Sequence, residues 1–171
     1  PKVVMNGALV WAVWHDERNG ASDIYLNRST DGGDSWLEDP IRIDSDTEGV
    51  NSSVNPTLAP VGEGGIAVAW QDNRLGGNDI LFRLSEDGGD SWPVEEFRMD
   101  TDVAGESQSV NPSMIVDGDR VVLGVGAVYA TLTITSAGHL SRMVADAVEQ
   151  IMQRHGQAVP AHHAIGAKVG R

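Results

Sequence analysis

Two seven-residue stretches, Asp23 to Ser29 and Asp79 to Ser85, alternate apolar and polar side chains as half-buried strands do. A denser apolar run precedes each, Ala8 to Trp14 and Ile66 to Trp70, and a further short strand follows each, Pro40 to Asp44 and Glu96 to Asp100. A fourth strand is predicted over Asn55 to Ala59 and again over Asn111 to Ile115. Between them lie turn formers: Arg18-Asn19-Gly20, Asp31-Gly32-Gly33, Glu63-Gly64-Gly65, Leu75-Gly76-Gly77 and Asp87-Gly88-Gly89. Four short antiparallel strands in roughly fifty residues is the content of one propeller blade.

The pattern returns at a constant offset. Ser29-Thr-Asp-Gly-Gly-Asp-Ser-Trp36 recurs as Ser85-Glu-Asp-Gly-Gly-Asp-Ser-Trp92, and 92 − 36 = 56. The same offset pairs Trp14 with Trp70, Asp16 with Asp72, Arg18 with Arg74, Asp23 with Asp79, Asp44 with Asp100 and Asn55 with Asn111. Such a period marks a stacked or radial repeat whose units bury their faces against one another. A third copy opens at Asn111-Pro112-Ser113-Met114 and then stops: Gly126, Val128 and Ala130 stand where Trp, Asp and Arg are due. The expected organisation is a repeat region over residues 1–123 and a non-repeat tail over residues 124–171. In the tail, Ala127 to Thr135 reads as a strand. Ser136 is placed to cap a helix whose apolar stripe is Leu140, Met143, Val144, Ala147, Val148, Ile151 and Met152. The predicted fold is mainly β: two to two-and-a-half four-stranded antiparallel blades, then a strand and one amphipathic helix.

Charge divides the chain at the same place. Residues 1–123 carry 23 acidic and 8 basic side chains, net −15, and residues 124–171 carry 2 and 4, net +2, which sum to −13. A surface this acidic repels phosphates, so no nucleic-acid partner is expected. With Cys 0, disulfides and thiol chemistry are excluded and the compartment stays open. No apolar run approaches membrane-spanning length, so no membrane partner is expected. The sequence opens at Pro1 in mid-repeat, which suggests a fragment, a processed product or an engineered chimera.

The two boxes resemble the Asp-box, or bacterial neuraminidase repeat, with Ser35 and Ser91 where Thr is more usual. The upstream stretch Trp14-His-Asp-Glu-Arg-Asn-Gly-Ala-Ser-Asp-Ile-Tyr25, with its copy Trp70 to Leu81, is similar to repeats of sialidase-like secreted bacterial proteins. The resemblance covers residues 1–123 and implies a sialidase-like β-propeller, a secreted setting, and boxes that form hairpin turns far from any sugar site. In the tail, Thr135-Ser-Ala-Gly-His139 followed by Ala145-Asp-Ala-Val148 faintly resembles the ribosomal silencing factor family. That match needs a one-residue insertion and leaves the tail unassigned.

The box residues Ser29, Asp31, Gly33 and Trp36, and Ser85, Asp87, Gly89 and Trp92, read as structural. Asp31 and Asp87 precede Gly-Gly pairs, where a short carboxylate accepts backbone N–H groups and glycine takes positive φ. Trp36 and Trp92 each offer a flat apolar area to a neighbouring blade. Arg18 and Arg74 share a strand face with Asp16 and Asp72, and Asp23 and Asp79 are placed to join them across the hairpin. An arginine set could instead grip a substrate carboxylate. Recurrence in both copies favours structural pairing, because an active site would occur once.

Asp44-x-Asp46-x-Glu48-Gly49 and Asp100-x-Asp102-x-x-Gly105 open like a calcium loop, but Asn55 and Asn111 occupy the position that needs the last carboxylate. They read as acidic turns. His139, His155 and the pair His162-His163 lack metal-ligand spacing. No metal and no cofactor is expected.

A sialidase-type enzyme would need a closed ring, an arginine cluster, a Tyr/Glu nucleophile pair and an acid/base Asp. This sequence lacks the family's Arg-Ile-Pro motif and has only Tyr25 and Tyr129, so no residue is assigned as catalytic. The expected function is a scaffold or carbohydrate- or protein-binding module. The alternatives are part of a sialidase-like glycoside hydrolase, or a chimera with no natural activity. Self-association through open blade faces is expected, with three chains supplying about six blades, the competing solution being a monomer whose helix, from about Leu140 to His155, covers the exposed face. A glycan is the candidate ligand.

Overall fold

The computed structural model describes residues 1–92, 96–100, 103–106, 108–117, 120–125 and 128–133. Strands β1 (Lys2–Asn6), β2 (Leu9–Asp16), β3 (Asp23–Ser29) and β4 (Ile41–Arg42) form one antiparallel sheet in that order. A second repeats it with β5 (Ser53–Val61), β6 (Gly65–Asp72), β7 (Asp79–Ser85) and β8 (Phe97–Arg98). A third contains β9 (Ser113–Asp117), β10 (Arg120–Val125) and β11 (Val128–Thr133). The described residues contain no helix, and the expected helix and the four tail histidines lie outside them. No helix among them is long and apolar enough to cross a membrane.

The Asn-Pro strand opens a sheet instead of closing one. Val61 pairs with Gly65, so β5 belongs with β6, and β1 fills the same place in the first sheet, where the sequence pattern predicts no strand. Asn55 and Asn111 explain the motif, since each has positive φ, 52° and 53°, which Asn tolerates better than most residues. Pro56 then sits in the irregularity between Val54 and Thr57, where a missing N–H breaks no ladder bond.

Pairing registers identify equivalent positions. Val4, Trp11 and Arg28 form one rung; Ala59, Ala67 and Leu84 form the next sheet's; Ile115, Val122 and Thr131 form the third's. Three residues separate Val61 from Gly65, but two separate Asp117 from Arg120. The third copy is therefore one residue short, and the position of Trp70 falls to Val125, not to Gly126 as a constant offset places it. The expected boundary between residues 123 and 124 lies inside β10.

The sheets converge at β1, β5 and β9 and stack face to face. Trp11, Val13, Ile24, Leu26 and Ile43 of the first sheet pack with Leu58, Ile66, Val68, Trp70 and Leu81 of the second. On the second sheet's other face, Ala67, Ala69, Ile80, Phe82 and Met99 meet Val121 and Leu123. Both faces of the middle sheet are covered, so all of β6 is buried. That is why its sequence reads as a solid apolar run and not as an alternation.

Candidate functional site

The repeated chemistry sits in turns. After β3, Ser29 Oγ donates to Asp31 Oδ1 at 2.7 Å and accepts from the Gly33 N–H at 2.9 Å. Asp31 accepts from the Ser35 N–H at 2.9 Å and from the Ser35 hydroxyl. Gly32 and Gly33 have φ of 80° and 104°, open to glycine at no steric cost. The second box is superposable in its bonds: Ser85 to Asp87 at 2.7 Å, Gly89 N–H to Ser85 at 2.7 Å, and Ser91 N–H to Asp87 at 2.9 Å. Hydrogen bonds from Ser29 and Ser35 hold the Asp31 carboxyl well below the usual range, and those from Ser91 and Ser85 bring Asp87 down to about 2. The two Trp differ: Trp36 is 42% exposed, whereas Trp92 is half-buried against the first sheet.

The Trp-x-Asp-x-Arg stretches are also closed units. Asp16 accepts from Arg18 Nη2 at 2.7 Å, from the Arg18 N–H at 2.9 Å and from the Trp14 indole. Asp72 takes the same bonds from Arg74 and Trp70, adds Ser53 Oγ at 2.7 Å, and Arg74 reaches on to Glu96 at 2.6 Å. Arg18 also lies 4.3 Å over the Tyr25 ring.

Asp23 and Asp79 do not join these arginines across the hairpin. Asp23 bonds Arg42 Nη2 at 2.9 Å and the Gly49 N–H at 3.1 Å, and Asp79 bonds Arg98 Nε at 2.5 Å and the Gly105 N–H at 3.1 Å. The reason is strand order: β4 and β8 lie against β3 and β7, nearer than the arginines beyond β2 and β6. Arg42 and Arg98 are the residues that sequence reasoning passes over. Their signal is the repeated apolar-Arg-apolar-Asp of residues 41–44 and 97–100.

Arg42 sits among Asp23, Asp44 and Asp46, whose ligand oxygens all lie within 4.8 Å of one another. Its guanidinium supplies most of the positive charge of the cluster, and Arg74 Nη2 lies 3.8 Å from Asp46. Burial pushes the Asp44 carboxyl up to about 7, against the opposing pull of the Ile24 N–H and Arg42, and burial takes Asp100 up to about 6. A folded-state pKa above the ordinary value near 4 means the folded state binds the proton more tightly, so its stabilising effect fades as pH rises. Melting temperature is therefore expected to fall between about pH 5 and pH 8, and Asp44→Asn is expected to flatten that slope. An unchanged slope in the variant would place the titration elsewhere. Asp31 and Asp87, with lowered pKa, contribute stability that is lost only as pH falls below the ordinary carboxylate range.

Between the sheets, Trp11 Nε1 donates to the Gly88 carbonyl at 2.8 Å and Arg28 pairs with Asp90, so the first sheet grips the second sheet's box. At the convergent edge the side chains of Asn55 and Asn111, both exposed, meet at 3.3 Å.

Three stacked antiparallel sheets of one repeat define a β-propeller-like protein. Compared with protein-family models and with curated proteins, the chain matches none. Among solved structures it is similar to the GH93 alpha-L-arabinofuranosidase of Fusarium graminearum in complex with arabinobiose, with TM-score 0.58 and 11% identity. The match covers 77% of this chain and 41% of that one, and it supports a propeller-like β fold.

Proposed function

We propose that the chain is a propeller-blade module with Asp-box turns that serves as a scaffold and binds carbohydrate, with no complete active site in its described residues. One observation supports this: the carboxylates of the repeated motifs are taken up internally. Asp16, Asp23, Asp44, Asp46, Asp72 and Asp79 are held by arginines, and Asp31 and Asp87 by their own turns. Glycoside hydrolysis generally needs two carboxyl groups free to flank a scissile bond. Sugar binding needs exposed amide groups, which Asn55 and Asn111 offer at the convergent edge.

The neighbour is an arabinofuranosidase, which favours a second reading in which these blades are part of a glycoside hydrolase. Calorimetric titration with arabinobiose and a sialoside separates the two, combined with turnover of the matching fluorogenic glycosides. Binding without turnover, weakened at least several-fold by Asn55→Gly, which keeps the positive φ and removes the amide, is the expected result. Turnover abolished by changing Tyr25 would overturn it, and so would the absence of binding to any glycan tested.

A further inference from the structure

Among the described residues, a second sheet covers one face of the first sheet and no sheet covers the other. In the second sheet Leu58, Ile66, Val68, Trp70 and Leu81 are buried against the first sheet, with Trp92 packed beside them. The pairing registers place Val3, Val10, Ala12, Trp14 and Tyr25 at the equivalent positions of the first sheet, and the box repeat places Trp36. These six form the same apolar ladder. Val10 and Tyr25 at its centre are buried and Ala12 and Trp14 half-buried, but Val3 is 62% exposed where Leu58 is 5%, and Trp36 is 42% exposed. Met5, on the rung of Pro60, is also 62% exposed.

The polar contacts repeat as well. The second sheet's box is gripped through the Gly88 carbonyl by an indole N–H and through Asp90 by a guanidinium. Gly32 and Asp34 occupy those places in the first box, with φ of 80° at Gly32 against 77° at Gly88. Among the described residues no side chain bonds either one. Exposed Glu38 and Asp39 follow in sequence and keep this rim negative.

We propose that this face is a blade-docking surface. Its occupant is another antiparallel sheet of the same repeat, with aliphatic side chains for the ladder, Trp on the rung of Trp11 and Arg on the rung of Arg28. A second copy of this chain fits less well. At those two rungs its second sheet carries Ala67 and Leu84, and its third carries Val122 and Thr131, none of them an indole or a guanidinium.

The registers also specify the test. Thr57 stands on the rung of Lys2, so residues 1–57 joined directly to Val3 extend the repeat without a break. The added segment carries Trp36→Phe, which makes the resident Trp36 unique by mass. Radical footprinting of this fusion is expected to show oxidation of the resident Trp36 and Met5 reduced several-fold relative to the parent chain. Trp11→Phe with Arg28→Leu in the added segment is expected to remove most of that protection. In the parent chain, Val3→Lys with Met5→Lys is expected to leave the melting temperature unchanged, because both side chains are 62% exposed. Three results would overturn the proposal: unchanged oxidation in a folded fusion, destabilisation of the parent by the lysine pair, or a parent dimer in light scattering with Trp36 already protected. The last would make a second copy the occupant.

Discussion

Trp11→Ala is expected to cost about 3–5 kcal/mol of folding stability, the range for truncating a buried Trp. Trp11 has no exposed surface, lies in the cluster joining two sheets, and donates to Gly88 at 2.8 Å. Its removal leaves a cavity and reduces the Gly88 carbonyl to a 3.5 Å contact with Arg28 Nη1. Trp11→Phe keeps most of the area and loses the bond, so about 1–2 kcal/mol is expected from it. Trp36→Ala is expected to cost about 1 kcal/mol or less, because a side chain already 42% exposed leaves little cavity behind. Urea unfolding of the three variants measures this order. A Trp36→Ala cost matching that of Trp11→Ala would mean that the outer face of the first sheet is covered in solution.

This ordering departs from what the sequence alone implies. Trp36 and Trp92 occupy identical boxes, and their motif predicts equal burial. Burial depends on whether a sheet stands opposite, which the repeat does not encode locally. Trp11 carries more of the interface, yet its counterpart is Ala67, so the offset that reveals the boxes hides it. The strands of the two full sheets were legible because each copy confirmed the other. β1 was not, since Lys2–Asn6 aligns with β5 at an offset of 55 and not 56, one residue having been lost from the turn. The same one-residue shortening moves the third copy's Trp position to Val125.

The pairing of carboxylates and arginines shows a similar limit. Spacing predicted Asp16 with Arg18 and Asp72 with Arg74 on one strand face. Both pairs form at 2.7 Å, but β2 and β6 end at the aspartates, so each arginine reaches back from the following turn. The partners of Asp23 and Asp79 lie 19 residues away on two-residue strands whose sequence signal is weak. Loop closure there depends on backbone approach: a Cβ on Gly49 would lie 2.1 Å from the Asn19 carbonyl oxygen, and one on Gly105 would lie 1.9 Å from that of Leu75. Each glycine lets its loop fold back far enough for its N–H to meet the buried carboxylate.

Arg42→Met is expected to destabilise the chain by about 3–5 kcal/mol, the range for removing one partner of a buried ion pair. The Asp23 and Asp44 side chains have no exposed surface and Asp46 is 7% exposed, so without the guanidinium three close carboxylates keep only Arg74, 3.8 Å from Asp46, against their mutual repulsion. The loss has a pH signature. Protonation relieves the repulsion, so the variant should regain part of its stability as pH falls from about 8 to about 5, more steeply than the parent. Arg98→Met should behave alike, since Arg98 pairs with Asp79 and Asp100. Adding Asp44→Asn to Arg42→Met should recover stability, a coupling that a double-mutant cycle reads directly. Should Arg42→Met melt like the parent at pH 8, the cluster must be neutralised by something other than Arg42, and the three carboxylates would then have to be considered as ligands.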